Sequence, residues 1–472
     1  MEDNTEGTPL LSERGNSSSE TKKPTWHQRI IYLSIFFMAF GMSLCSYVLY
    51  EWTHHKTKKG LFPNTTFDLN TTCGSTDETN PNYKKNQLVQ QQSASWAVKY
   101  SLAEYIPMLF MQLMLLSYSD MIGRKPLLFV TFLSIILKSG TLTVIIGTHA
   151  SLWYIVGVNV FEGLMGGSFG LFVTVYSYIA DITGKKQRSV EIVILDATAL
   201  VAVICGAMTS GYAVQSAMGY FYTSMLSTGL LTLGFLILFI LPESLPRDKR
   251  AKSGPKMLTM VKRMASFYVS REFSGKRLSY ILLLLAYLFL SLSGMNRSTL
   301  ETIYLLGPPF CWEPKNIGHF MLLRNSAQGI IGLGSVKLLK MWFTENSIGI
   351  MSMMSCTGSL VLEAVARTTL VMFFVPVVGV FSFLVVAMIR SMMSSMTSPD
   401  KQGALFTSVA FIEVLSTILS SVSENLVYSI TMSFMNGFVF LLLALFAFFS
   451  MMMLVLLRCT SRRVHLPSSN VN

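Results

Sequence analysis

The chain has 472 residues, of which 51% are hydrophobic and 13% charged, and its mean hydropathy of +0.50 excludes a water-soluble globule. The net charge of +12 would suit a nucleic-acid binder, but the basic residues gather in short connectors between apolar runs, which reports membrane topology and not a phosphate footprint. No Walker loop, no metal-spaced His/Cys/Asp cluster and no Gly-x-Ser-x-Gly elbow is present, so neither an enzyme nor a cofactor is expected.

Residues 1–28 are polar, and within them Glu6, Leu10 and Leu11 form an acidic-dileucine pattern of the kind read by endolysosomal sorting adaptors. The first apolar run comes too late and is too long for a cleavable signal peptide, and it predicts a span from about Ile30 to Tyr50. A polar loop at 52–95 follows, with glycosylation sequons at Asn64 and Asn70 and with Cys73, which puts it on the exoplasmic side. Spans two and three are expected over Trp96–Leu116 and Leu127–Ile146, each close to the ~20 residues a bilayer requires. Between them runs SYSDMIGRK, Ser117 to Lys125. Asp120 ends one helix, Gly123 permits the tight turn, and Arg124 and Lys125 anchor the chain on the cytosolic side. This loop resembles the signature loop between the second and third helices of major facilitator transporters, which locks their inner gate.

The fourth span, Leu152–Tyr178, carries Gly163, Gly166, Gly167 and Gly170 on one helical face, a pattern for close backbone packing. A charged turn from Asp181 to Arg188 precedes spans five and six, Val190–Tyr212 and Gly219–Leu241. A basic cytosolic linker, 242–277, separates these from six more spans: Leu278–Leu306, Ile317–Leu339, Ile348–Ala366, Thr369–Met392, Ala404–Val427 and Met432–Leu457. Residues 458–472 form a second cytosolic tail. The expected fold is an all-α polytopic membrane protein, with twelve transmembrane helices in two pseudo-symmetric six-helix bundles at 29–241 and 278–457. Cys45, Cys205 and Cys356 lie in spans and Cys459 in the basic tail, so Cys73 and Cys311 are expected to pair in an oxidising compartment.

The run Leu305–Trp312 (LLGPPFCW), the turn Ala180–Arg188 followed by Ile194–Ala197, and Ile389-Arg390 ahead of Gln402–Phe406 resemble the proton-coupled folate transporter family, solute carrier family 46. The likeness runs from the first span to the last, and Ser274–Arg277, Ala366–Leu370 and Arg390–Met392 look nearest to that family's lysosomal member. It implies a secondary active transporter that moves a small organic solute by alternating access, with protons as the coupling ion. The lysosomal or plasma membrane is the expected location, with both termini cytosolic.

Ionisable residues inside spans are costly in hydrocarbon and mark cavities, partners or proton paths. Glu104, Glu162, Asp196, Arg297, Glu301, Arg324, Arg390 and Glu413 are the candidates for proton coupling or substrate contact. Asp196 matches the family acid of the fifth helix, and Arg390 matches the family arginine at the cytosolic end of the tenth. For each the plainer reading is a permanent structural ion pair. Lys138, and Glu363 with Arg367, fall on spans three and nine, which stand outside the central cavity in major facilitators. The stretch Ser293–Arg297 has no counterpart of the folate carrier's seventh-helix histidine, which argues against folate itself. The three span arginines favour an anionic or mixed-charge solute such as a folate-like compound, steroid conjugate or muropeptide. A receptor or scaffold that kept the carrier fold but lost turnover is the alternative, and solute flux in vesicles separates the two.

Overall fold

The computed structural model describes residues 26–63, 81–183, 188–216, 218–245, 247, 250, 276–294, 297–397, 402–432 and 434–464. The pattern at Glu6, Leu10 and Leu11, the sequons at Asn64 and Asn70, Cys73 and linker residues 251–275 lie outside them. Among the described residues the secondary structure is helical, because a segment in hydrocarbon has to satisfy its own peptide groups.

The first half comprises α1 (Trp26–Leu61), α2 (Pro81–Ile122), α3 (Arg124–Thr148), α4 (Trp153–Leu164), α5 (Gly167–Ile182), α6 (Arg188–Gln215) and α7 (Gly219–Leu238). The second comprises α8 (Arg277–Leu292), α9 (Ser298–Leu306), α10 (Pro314–Ser326) with a π-helical turn at Ala327–Leu333, α11 (Val336–Trp342), α12 (Glu345–Val365), α13 (Thr369–Val378), α14 (Leu384–Met396), α15 (Gln402–Thr431) and α16 (Phe438–Val464). Among the described residues, eight crossings are long and apolar enough to span a bilayer as they stand. The others are α2 and the interrupted crossings α8–α9, α10–α11 and α13–α14.

Helix length departs from expectation at the outer end. α1 has 36 residues and α2 has 42, about 54 and 63 Å at 1.5 Å per residue, so both stand clear of the ~30 Å hydrocarbon layer and take up much of the expected loop 52–95. Continuity also departs from expectation. The fourth crossing breaks between α4 and α5, where Gly166 and Gly167 take φ of 93° and 51°, values open to glycine. The tenth, its counterpart in the second half, breaks between α13 and α14, and there the Ser355 hydroxyl donates to the Val378 carbonyl (2.6 Å) and accepts from the Phe381 N–H (3.4 Å). Gln328 Nε2 donates to the Gly379 carbonyl at 3.4 Å. Non-helical backbone at membrane depth persists only where neighbours satisfy the released groups in this way. The seventh breaks at Gly294, φ 91°.

Small residues set the packing of the first half. Gly234 brings α7 against α1, where an added Cβ would lie 3.0 Å from the Ser34 carbonyl, and Ser34 Oγ donates to the Gly234 carbonyl at 2.8 Å. Hydroxyls join α3 to α7 through Ser139–Ser227 (3.0 Å), Ser139–Thr228 (2.9 Å) and Thr143–Ser224 (2.8 Å). Such bonds hold spans together where lipid supplies no hydrophobic drive. The outer surface keeps large apolar side chains exposed, among them Val144, Ile240 and Leu338 at 61%, 62% and 62%, which suits contact with lipid tails.

The halves meet through α1 with α9, α2 with α15 and α6 with α10. Hydrogen bonds between them gather at the end away from the Gly123 turn, here termed the outer end: Gln87 Nε2 to the Met432 carbonyl (2.8 Å), Gln90 Nε2 to the Ile303 carbonyl (3.2 Å), Ser421 to Ser101 (2.6 Å) and Tyr212 to His319 (2.7 Å). Gly211 and Gly318 let α6 and α10 touch backbone to backbone. This face runs inward as far as Leu200 on α6, packed on Gly329.

Candidate transport site

Asp196 lies one helical turn inward of Leu200, and its side chain is exposed. Tyr176, on the inner fragment α5, donates its hydroxyl to Asp196 Oδ1 at 2.6 Å. From the second half, Arg390 projects from the inner fragment α14 with 41% of its side chain exposed, and pairs with Glu413 of α15 at 2.7 Å. It also donates to the Tyr287 hydroxyl at 3.0 Å. The charge of Arg390 reaches both Asp196 and Tyr176 across the divide between the halves. One cation therefore faces two carboxylates from opposite bundles, on the inner side of the closed outer contact. Tyr176 and Tyr287 escaped the sequence reading because a tyrosine in a span carries no cost that marks it.

The other candidates form two closed networks. In the first half, Lys138 of α3 contacts Glu104 of α2 (2.6 Å) and Glu162 of α4 (2.8 Å), which explains a lysine on span three: it is a partner charge. Gly163 presses on the Glu104 backbone and Gly167 on the end of Met108, so the glycine face does pack closely, on α2, in addition to breaking the span. In the second half, Arg297 contacts Glu301 (2.6 Å) and Glu363 (3.6 Å), and Arg324 pairs with Glu301. Glu301 and Glu363 are fully buried. All three arginines read as attracting an anionic solute are thus engaged by carboxylates of their own half, and Arg390 has the most exposed side chain of the three, 41% against 7% for Arg297 and 11% for Arg324. Arg367 is exposed and apart from this network.

At the inner end, Gly123 takes φ 109° between α2 and α3. Arg124 Nε meets Asp181 at 3.1 Å, while Glu243 accepts from the Arg124 N–H (2.9 Å) and contacts Arg250 (3.4 Å). Lys125 Nζ donates to the Phe239 carbonyl at 3.1 Å. Asp120 falls on the last turn of α2, and its side chain is outside the described ones. The turn thus fastens spans two, three, four and six together. Glu243 was missed because it lies in the linker, where an acid carries no cost. Cys311 is disulfide-bonded, whereas Cys45, Cys205, Cys356 and Cys459 are free.

Residues 31–421 match the family model for the Major Facilitator Superfamily. A lysosomal proton-coupled steroid conjugate and bile acid symporter, SLC46A3 of Gallus gallus, is 26% identical over 441 residues, covering 90% of this chain and 93% of its own. The proton-coupled folate transporter of Bos taurus is 24% identical, with 76% and 77% covered. A probable peptidoglycan muropeptide transporter of Drosophila melanogaster, SLC46, is 25% identical, with 76% and 72% covered. Among solved structures, the human organic anion transporter MFSD10 superposes with a TM-score of 0.58 at 14% identity over 92% of this chain and 100% of its own. A POT family transporter in complex with 5-aminolevulinic acid gives 0.61 at 11% identity, over 93% and 96%. The twelve-crossing expectation and the non-enzymatic reading hold. This chain is a multi-pass membrane transporter and belongs to the Major Facilitator Superfamily.

Proposed function

We propose that the chain carries a small organic anion or mixed-charge solute together with a proton, and that Asp196, Arg390 and Glu413 are the coupling site. The carrying observation is the count of charges between the halves: one guanidinium, held by Glu413 at 2.7 Å, with Asp196 opposite it. With both acids ionised the site bears a net negative charge and repels an anion. A proton on Glu413 weakens its hold on Arg390 and frees the guanidinium for a carboxylate, sulfate or phosphate of the solute, to which it presents a planar fork of donors. Proton and anion then each raise the other's affinity, which is the reciprocity coupling requires. The names of the similar proteins, for a steroid conjugate symporter, a folate transporter and a muropeptide transporter, supply the solute classes to screen.

The sealed outer contact and accessible inner residues correspond to an inward-facing state, with the Gly123 end cytosolic. Lysosomal residence, reached through an adaptor that reads Glu6, Leu10 and Leu11, and a Cys73–Cys311 bridge under a glycosylated cap belong to the same reading.

The test is uptake of folates, steroid sulfates and muropeptides into vesicles containing the purified chain, driven by an imposed pH gradient. Uptake of one class is expected to collapse with a protonophore and in Asp196→Asn and Arg390→Ala proteins that still purify as folded monodisperse species. Flux indifferent to the gradient and to both substitutions removes the reading.

A further inference from the structure

We propose that Glu104, Glu162 and Lys138 form a second proton-binding site, closed within the first half, in which Glu162 carries the proton. Lys138 Nζ is 2.6 Å from Glu104 and 2.8 Å from Glu162. The side chains are 17%, 13% and 2% exposed for Lys138, Glu104 and Glu162. One ammonium can neutralise one carboxylate. A net charge left in a dry interior is far costlier than a neutral group, so the cluster lowers its energy by taking one proton from water and becoming electroneutral.

Among the described residues the surroundings offer no other charge to do this. The further titratable groups in electrostatic reach are Cys45 and Tyr50 from α1 and Tyr105 from α2, all neutral at physiological pH by their ordinary values. From α7, the side of α3 is met by hydroxyls, Ser227 and Thr228 on Ser139. Glu162 is the carrier because it is the drier acid, while Glu104 keeps the shorter contact with the ammonium.

The position gives the proton a lever. Glu162 is on the last turn of α4, and its carbonyl accepts the Met165 N–H at 3.1 Å just before the break at Gly166. The cluster ties that fragment to α2 and α3, so loss of the proton loads the anchor of the broken fourth crossing with an uncompensated charge. This goes beyond the coupling site above and stands whether or not the solute is an anion.

Infrared difference spectroscopy on the full chain in nanodiscs, titrated with acid and base, reads the carbonyl stretch of a protonated carboxylic acid and its shift in deuterated water. Wild type minus Glu162→Gln is expected to contain one such band. Wild type minus Glu104→Gln should contain it too, because Glu162 then serves as the sole counterion of Lys138 and stays ionised. Adding Lys138→Met to Glu162→Gln strips Glu104 of its cation, and the band returns. The proposal is overturned if either single variant keeps the band, or if the double variant fails to regain it. Asp196→Asn should keep this band in full, and vesicle uptake by that variant tests the coupling site separately.

Discussion

Replacing Gly211 by Ala tests whether the outer contact is one of two alternating states. The added Cβ would lie 2.7 Å from the Pro314 carbonyl oxygen, 3.1 Å from Lys315 Cα and 3.3 Å from Gly318 Cα. These are backbone atoms of α10, so no side chain can rotate aside; α6 and α10 have to separate. Overpacking of this kind costs about 1–3 kcal/mol. The cost falls on the outer-closed state alone, because the two helices part when the outer side opens. A bias of that size shifts the ratio of outer-open to outer-closed molecules by about 5- to 150-fold. Ser101, hydrogen-bonded to Ser421 beneath the same contact (2.6 Å), gives the reporter. Modification of Ser101→Cys by an impermeant maleimide added from the outer side should quicken when Gly211→Ala is introduced, with the solute-free full chain in vesicles. Equal labelling rates with and without the alanine would refute the idea that this face opens.

Glu301→Gln removes the carboxylate that contacts both Arg297 and Arg324 and leaves two buried guanidiniums with Glu363 as the remaining ion-pair partner among the described residues; a loss of about 3–5 kcal/mol is expected, read as a lower midpoint in thermal denaturation in detergent, and an unchanged midpoint would contradict the network. Gly166→Ala forces a side chain onto φ 93° at about 1–2 kcal/mol, whereas Gly157→Ala, with nothing within 4 Å of its Cβ, should be neutral or gain up to about 1 kcal/mol from helix propensity. Equal midpoints for the two alanine variants would show that the break is not held by glycine. Ser227→Ala breaks bonds to the Gly41 carbonyl (2.8 Å) and Ser139 (3.0 Å), for about 1 kcal/mol; full retention of stability would discount the hydroxyl seam.

Much of the architecture was legible because the bilayer enforces it. Apolar runs near ~20 residues become helices with little regard to propensity, and the Gly123 turn sits between α2 and α3 where the motif indicated. The interruptions in crossings seven, eight and ten were not legible. What stabilises the break at Val378–Phe381 is a serine on a different helix, Ser355, and no local pattern in the tenth span announces it. Partnerships were hidden for the same reason. Lys138 looked out of place on span three until α2 and α4 brought Glu104 and Glu162 to it.

By itself the order of residues determined the class of solvent, the number of crossings, the inner turn and the short roster of charges that hydrocarbon penalises, because each is a local property of composition and spacing. Which charges neutralise one another was decided by tertiary structure. Arg297 and Arg324 turned inward to Glu301 and Glu363, whereas Arg390, paired with Glu413, kept 41% of its side chain exposed. Pairing depends on helix rotation and approach, set by contacts hundreds of residues apart in the chain, and a buried charge and a working charge look alike until those contacts exist.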